Sequence, residues 1–422
     1  MLSRLRNRSG SGSSRRLAWG TLDQGLSSGS NFLLVFSLAR ASTPTQLGLL
    51  LIGYAVVTLA IGVCRNGFGA ILGMDLPLAS HHERRVLVGR SAAAVCVAAV
   101  PASLALVVYA WSVKVSQDGF WALVVLACAL PVLLLQDLQR FWAVARGFPA
   151  HAAAADGLWF AVAGVGLTVS VMQADHPSAT VGVAIWASGG VLSGALFAGL
   201  GYRVTPLVRG LRRWLSSDVR RAKLVGDSLL GYLAPLTNAS LIAALGTPLI
   251  TATVRGSSTL FGPLNLLSAT ISLVLVPEAK RLGMSRARRL FTLTALGFAV
   301  AAVGWATVLY VLPTQVGEAL LGPSWHLVRN VVLIMAIEYV GLGFSSVARA
   351  TLQAQGRLGA VLSLRVGYSL AVVLLPAVAV VIWPTAAAVT ATLAFCSLAL
   401  AAAALVATRR APAGSAPFEF SR

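Results

Sequence analysis

Residues 91–111 read SAAAVCVAAVPASLALVVYAW, and residues 81–90 before them read HHERRVLVGR. The first run carries no charged side chain over roughly 20 residues, the length a helix needs to cross a hydrocarbon core about 30 Å thick. The second carries Arg84, Arg85 and Arg90, a basic flank of the kind that stays on the cytoplasmic side of a span. Apolar runs with basic flanks repeat along the chain, over 17–39, 46–64, 91–111, 119–137, 152–173, 179–201, 226–246, 250–276, 291–312, 329–347, 365–383 and 385–407. The pattern predicts an all-α polytopic membrane protein of about twelve transmembrane helices.

Composition agrees. Of 422 residues, 57% are hydrophobic and 11% charged, with a mean hydropathy of +0.81, whereas a soluble domain carries roughly 25% charged residues. Twelve spans and their loops nearly use up the chain, so no large soluble domain fits. The net charge of +20 is dispersed in short runs between apolar segments, which excludes nucleic acid as an expected partner; the lipid bilayer is the expected one. Cys64, Cys96, Cys128 and Cys396 lie far apart in or beside apolar runs and read as small core hydrophobes. His81-His82-Glu83 resembles a metal tract but lacks further ligands. With no Walker A, nucleophile elbow or zinc motif, neither a metal, a cofactor nor an enzyme activity is expected.

The arginines set the topology. Of the 33 lysines and arginines, only Arg40, Lys114, Arg255 and Arg329 fall in odd-numbered loops, and the other 29 lie on the tails and even-numbered loops. That asymmetry predicts cytoplasmic termini and an even number of spans. Residues 1–16, basic and Ser/Gly-rich, read as a cytoplasmic tail and not as a cleavable leader. Six spans then form a lobe over 17–201, residues 202–225 form a basic cytoplasmic linker, six more spans form a lobe over 226–407, and 408–422 are a second cytoplasmic tail. The linker also offers its arginines to anionic headgroups. The halves show traces of repetition, with Asp23 and Asn31 in span one echoed by Asp227 and Asn238 in span seven, and Pro44 by Pro248. The outer loops are short, the longest running from about Pro313 to Val328. A membrane polysaccharide polymerase or ligase, the competing reading from another class, needs a sizeable outer loop for its acceptor.

Ionisable groups at membrane depth cost roughly 2.5–3.5 kcal/mol or more, so each one present needs a reason. Asp23, Gln24, Ser27, Ser30 and Asn31 fall within about a third of the wheel of span one and should face a cavity or a partner helix. Arg255, roughly 10 Å into span eight at 1.5 Å per residue, suits an anionic group such as a phosphate, and Arg40 stands at the outer rim. Glu338 lies near the midplane of span ten. Asp23 and Glu338 are the candidate carriers of a coupling ion. Asp137, Arg140, Arg146 and Asp156 cluster around the loop between spans four and five and read as structural ion pairs, and Glu278 with Lys280 closes span eight. Gly25-xxx-Gly29 and Gly190-xxx-Gly194 are small-residue packing faces.

Several stretches resemble one family. They are Asp23-Gln24 with Ser30-Asn31-Phe32, Ala39-Arg40 and Pro44; Gln136-Asp137-Leu138-Gln139-Arg140 with Ala145-Arg146-Gly147 and Asp156-Gly157-Leu158-Trp159; Arg255 with Gly262-Pro263-Leu264-Asn265 and Val276-Pro277-Glu278; and Leu320-Leu321-Gly322-Pro323-Ser324-Trp325. In this order they resemble the O-antigen flippase-like branch of the multidrug/oligosaccharidyl-lipid/polysaccharide exporter superfamily. The resemblance implies a MATE-like arrangement of two six-helix lobes around a cavity that opens alternately to either face. It implies a bacterial plasma-membrane flippase or exporter for a lipid-linked oligosaccharide or polysaccharide precursor, coupled to a proton or sodium ion and acting beside polysaccharide assembly enzymes. Asp23, Gln24, Ser27, Asn31, Arg40, Arg255 and Asn265 are then the expected cavity residues. The alternative within transport is a drug/cation antiporter of the same superfamily. Family members that flip anionic lipids usually line the cavity with several cations, and here Arg255 stands nearly alone at depth.

Overall fold

The structure, a computed structural model, describes residues 2–113, 115–173, 178–217, 219–321 and 325–409, and all regular elements within them are helical. In chain order they are α1 (Leu2–Ala41), α2 (Pro44–Cys64), a π-helical turn (Arg65–Gly69), α3 (Ala70–Asp75), α4 (His81–Ser112), α5 (Gln117–Ala145), α6 (Pro149–Gln173), α7 (Ala179–Gly199), α8 (Leu211–Ser217), α9 (Val219–Leu245), α10 (Pro248–Leu260), α11 (Gly262–Leu282), α12 (Met284–Val311), α13 (Thr314–Leu321), α14 (Trp325–Arg329), α15 (Val332–Ala354), α16 (Leu358–Ile382) and α17 (Ala386–Arg409). Among the described residues, eleven helices are long and apolar enough to cross a membrane. With α1, whose polar stripe dilutes its apolar character, they make up the expected polytopic all-α protein.

Local chemistry sets the boundaries. Ser80 opens α4 with a reciprocal cap: its Oγ accepts from Glu83 N at 3.4 Å, and Glu83 Oε2 accepts from Ser80 N at 2.7 Å, satisfying two backbone donors the helix leaves open. Gly147 ends α5. Its φ of 94° is a left-handed conformation that costs glycine little, and it lets Phe148 N reach Ala143 O at 3.0 Å and Gly147 N reach Val144 O at 2.9 Å, closing the last turn. The same pair of bonds recurs at Gly201 and Gly356.

Four of the expected spans have different bounds. The helix of span one begins at Leu2, not at residue 17. Span two continues past Cys64 through the π-helical turn into α3, and span four continues past 137 to Ala145. The span expected over 250–276 is broken at Phe261 into α10 and α11. Pro263 explains the break, because its ring supplies no N–H and clashes with the preceding turn. Leu264 N then bonds Phe261 O at 3.0 Å instead of Leu260 O, and Trp305 Nε1 donates to that freed Leu260 carbonyl at 2.8 Å.

Two compact units result, Met1–Tyr232 with Asn265–Ala287, and Leu233–Leu264 with Arg288–Arg422. In the first, α1 packs on α6 and α7, and α5 on α4 and α7. Trp186 is fully buried there, edge-on to Tyr54 at 6.1 Å, while the Trp159 indole donates to Trp186 O at 2.7 Å. Gly190 serves the predicted packing face inside this unit: a Cβ on it would lie 2.4 Å from Leu133 Cδ2 and 3.0 Å from Trp159 Cζ2. In the second unit α15 packs on α17 so closely that a Cβ at Gly341 would sit 2.7 Å from Ser397 C and 2.8 Å from Leu398 N. Phe261 stacks on Tyr339 at 4.7 Å.

Candidate functional site

Because α5 continues to Ala145, its polar residues do not form a loop. Gln136, Asp137 and Arg140 occupy one face of a helix, at spacings of one, three and four residues, and that face is buried. Arg140 is the hub. Its side chain is 1% exposed and Asp23 of α1 is 0% exposed, with Arg140 Nε 2.7 Å from Asp23 Oδ2. Arg140 Nη2 donates to Gln24 Oε1 at 2.7 Å, Nη1 to Asp137 Oδ1 at 3.3 Å, and Asp156 Oδ2 of α6 lies 3.5 Å from Nε. A guanidinium offers five donors in a rigid fork, which suits it to join three helices at once.

Arg65, in the π-helical turn, completes the ring. Its Nη2 and Nε donate to Asp137 Oδ1 and Oδ2 at 2.6 and 3.2 Å, a bidentate pair, and its Cζ stands 5.8 Å from the Phe141 ring centroid. Gln136 Nε2 donates to Asp156 Oδ1 and to Ser193 Oγ of α7, each at 2.9 Å. Gln139 Nε2 donates to Tyr202 O at 2.9 Å. Three carboxylates thus share two guanidiniums. Asp23 Oδ1 and Asp156 Oδ2 are buried without a hydrogen bond.

The expected site residues divide between the units. Asp23 and Gln24 lie in this network. Ser27 and Asn31, one and two turns further along α1, are half-buried, and Ser27 O accepts from Ser30 Oγ at 2.8 Å. Arg40 is exposed at the end of α1, its Cζ 5.4 Å from the Phe36 ring centroid. Asn265 is exposed on α11. Arg255 sits in α10, and its side chain lies outside the described residues. Glu338 belongs to the second unit, buried on α15 with its Oε2 accepting no hydrogen bond, within electrostatic reach of Tyr368 and Cys396.

The ion pairs predicted around 137–156 exist, but their partners were not legible from spacing. Asp137, Arg140 and Asp156 serve Asp23 and Arg65, whereas Arg146 lies apart, its Cζ 5.4 Å from the Tyr202 ring centroid. Glu278 pairs with Arg16 at 2.6 Å and Arg281 at 3.4 Å. Arg65 is one of the 29 cations of the tails and even-numbered loops, and spacing does not single it out. The available signal was its position, directly after an apolar run and followed by Asn66-Gly67.

No protein-family model matches the chain, and no curated protein does. Its fold is that of known membrane transporters. It superposes on a variant of the MATE transporter VcmN from Vibrio cholerae with a TM-score of 0.77 at 13% identity, covering 95% of this chain and 97% of that one. A MOP superfamily transporter from Pyrococcus furiosus, whose binding pocket of reverse polarity is described as suggesting a different function, gives a TM-score of 0.74 at 12% identity over 94% of both chains. An outward-facing multidrug resistance MATE transporter gives 0.71 at 12% over 94% of both. These solved structures establish the MATE architecture for this chain.

Proposed function

We propose that this chain is an alternating-access transporter of the bacterial plasma membrane, coupled to protons through the α1–α5–α6 network, with a lipid-linked oligosaccharide or polysaccharide precursor as its cargo. The observation that carries the coupling is the count of buried charges: Asp23, Asp137 and Asp156 against Arg65 and Arg140. An uncompensated charge buried among packed helices is expensive, and one proton removes it. A proton needs only one acceptor, and Asp23 Oδ1 or Asp156 Oδ2 can supply it, whereas a sodium ion needs a cage of oxygens. Binding and release of that proton changes what Arg140 must neutralise, and so biases how α1 packs on α5 and α6. Glu338, with an unpartnered oxygen, is the second coupling candidate.

The cargo reading rests on the flippase-like stretches around Asp23-Gln24, Gln136–Arg140 and Gly262–Asn265. In it Gln24, Ser27, Asn31, Arg40 and Asn265 are the candidate saccharide-binding residues of the first unit, and Arg255 of α10 is the candidate anion-binding residue of the second. The 29 cations of the tails and even-numbered loops support cytoplasmic termini, the side on which polysaccharide assembly enzymes would supply cargo. Purified protein in liposomes should translocate a labelled polyprenyl-diphosphate sugar under a proton gradient, and Asp23→Asn should abolish the response to the gradient while leaving cargo binding intact. Gradient-independent transport by the native chain would sink the proposal. The second reading, a drug/cation antiporter, is favoured by the same excess of buried acid. Loss of transport in Asp23→Asn together with full activity in Arg255→Ala would select it.

A further inference from the structure

We propose that residues 203–215, held against the first turns of α4, form a docking surface for the anionic headgroups of the surrounding bilayer. The depth of this segment follows from α4. Ser91–Trp111 is uncharged over roughly 20 residues, about 30 Å of helix, which fills a hydrocarbon core. Arg90 therefore marks the boundary of the core, and everything before it lies at headgroup level. The segment is fastened at that level, because Leu207 N donates to Gly89 O at 2.8 Å. Glycine is needed at 89 for the approach: a Cβ there would stand 3.0 Å from Thr205 O and 3.1 Å from Leu207 Cβ. α8 packs on α4 as well.

The charges divide into two sets. Arg220 pairs with Asp75 at 2.8 Å. Arg221 lies 3.5 Å from the Trp214 ring centroid and donates to Trp214 O, so the first ties α9 to α3 and the second ties α9 to the segment. Arg203, Arg209, Arg212 and Arg213 are exposed, and no described acid pairs with them. Beneath them Arg90 Nε is buried without a hydrogen bond, with Nη2 3.7 Å from where a Cβ on Gly210 would lie. Apolar side chains stand exposed among these cations, Val208 at 68% and Leu215 at 36%. A phosphodiester backbone offers nothing to bury them, and a soluble acidic protein could do so only through an apolar patch set beside its acids. A bilayer surface takes both, with phosphates for the guanidiniums and the acyl boundary for valine and leucine, beside the partly buried Trp214. This surface stands whether or not the chain moves a saccharide.

The test uses the full chain reconstituted in phosphatidylcholine vesicles containing a minor fraction of acyl-brominated phosphatidylglycerol or, in parallel, acyl-brominated phosphatidylcholine. The Trp214 signal is the difference between native and Trp214→Phe protein. Brominated phosphatidylglycerol should quench it at a several-fold lower mole fraction than brominated phosphatidylcholine. Each arginine near an anionic surface contributes about a fivefold preference, so Arg212→Gln/Arg213→Gln should shift the midpoint by more than tenfold. Arg288→Gln/Arg289→Gln, exposed cations at the start of α12, should leave it in place. Raising the salt should collapse the preference in the native chain, a readout that needs no arginine variant to fold. Equal quenching by the two lipids, a preference indifferent to salt, or an unchanged midpoint in Arg212→Gln/Arg213→Gln would overturn the proposal. So would an acidic polypeptide that displaces no lipid yet protects the same arginines.

Discussion

Replacing Arg140 by methionine tests the network most directly, because the side chain is buried and bonded on every side. Its loss leaves Asp23 and Asp156 with no guanidinium, and Asp137 with only Arg65. If all three acids are ionised, the excess negative charge doubles from one to two. Breaking a buried pair by removing one partner costs about 3–5 kcal/mol, and a unit of this size should then unfold on the order of 10 °C earlier. Asp23→Asn removes the excess charge and keeps an oxygen for Arg140 Nε, so alone it should change stability by less than about 1 kcal/mol. The double variant restores the native excess, and its stability should fall between Arg140→Met and the native chain, with a coupling of at least ~1.5 kcal/mol. Thermal unfolding of the purified full chain in detergent, followed by tryptophan fluorescence, measures all three. If Arg140→Met unfolds within about 1 °C of the native protein, the network is not what holds α1 to α5 and α6. Simple additivity in the double variant would refute the charge count.

Other expectations follow from single contacts. Gly341→Ala drives a Cβ into the backbone of α17 and should cost about 1–3 kcal/mol by overpacking, whereas Gly297→Ala, with nothing within 4 Å, should be neutral or slightly stabilising; paired melting curves decide. Asp118 accepts from Ser178 Oγ at 2.6 Å, Ala179 N at 2.6 Å and Thr180 N at 3.1 Å, so it caps α7 from a neighbouring helix. Asp118→Ala should cost about 1 kcal/mol and raise hydrogen exchange in the first turn of α7 more than elsewhere. Glu338→Gln keeps the shape of a carboxyl that has an unpartnered oxygen, so the fold should survive; if Glu338 shares the coupling, proton-driven transport in liposomes falls while downhill transport persists.

The spans, their number and the asymmetry of their charge were readable because each is a local property. An uncharged run such as 91–111 can satisfy its backbone in lipid only as a helix, whatever its neighbours do. The polar stripe of span one was readable for the same reason, from the angles of Asp23, Gln24, Ser27 and Asn31 on one wheel. Its partners were not. Arg140 lies 117 residues from Asp23, and Arg65 lies 72 residues from Asp137; sequence spacing carries no information about which helices meet. The end of span four is hidden by composition: the cluster at 136–140 is polar enough to read as a loop, yet buried partners let α5 carry it to Ala145. The break at Phe261 was foreshadowed by Gly262-Pro263, but the Trp305 indole that satisfies the freed Leu260 carbonyl arrives from another helix. The sequence by itself determined that this chain lives in a membrane as a bundle of helices. Only the tertiary structure decided that Asp23, Asp137 and Asp156 meet Arg65 and Arg140 in one network, because buried charges are tolerable only where packing brings their counterparts within reach.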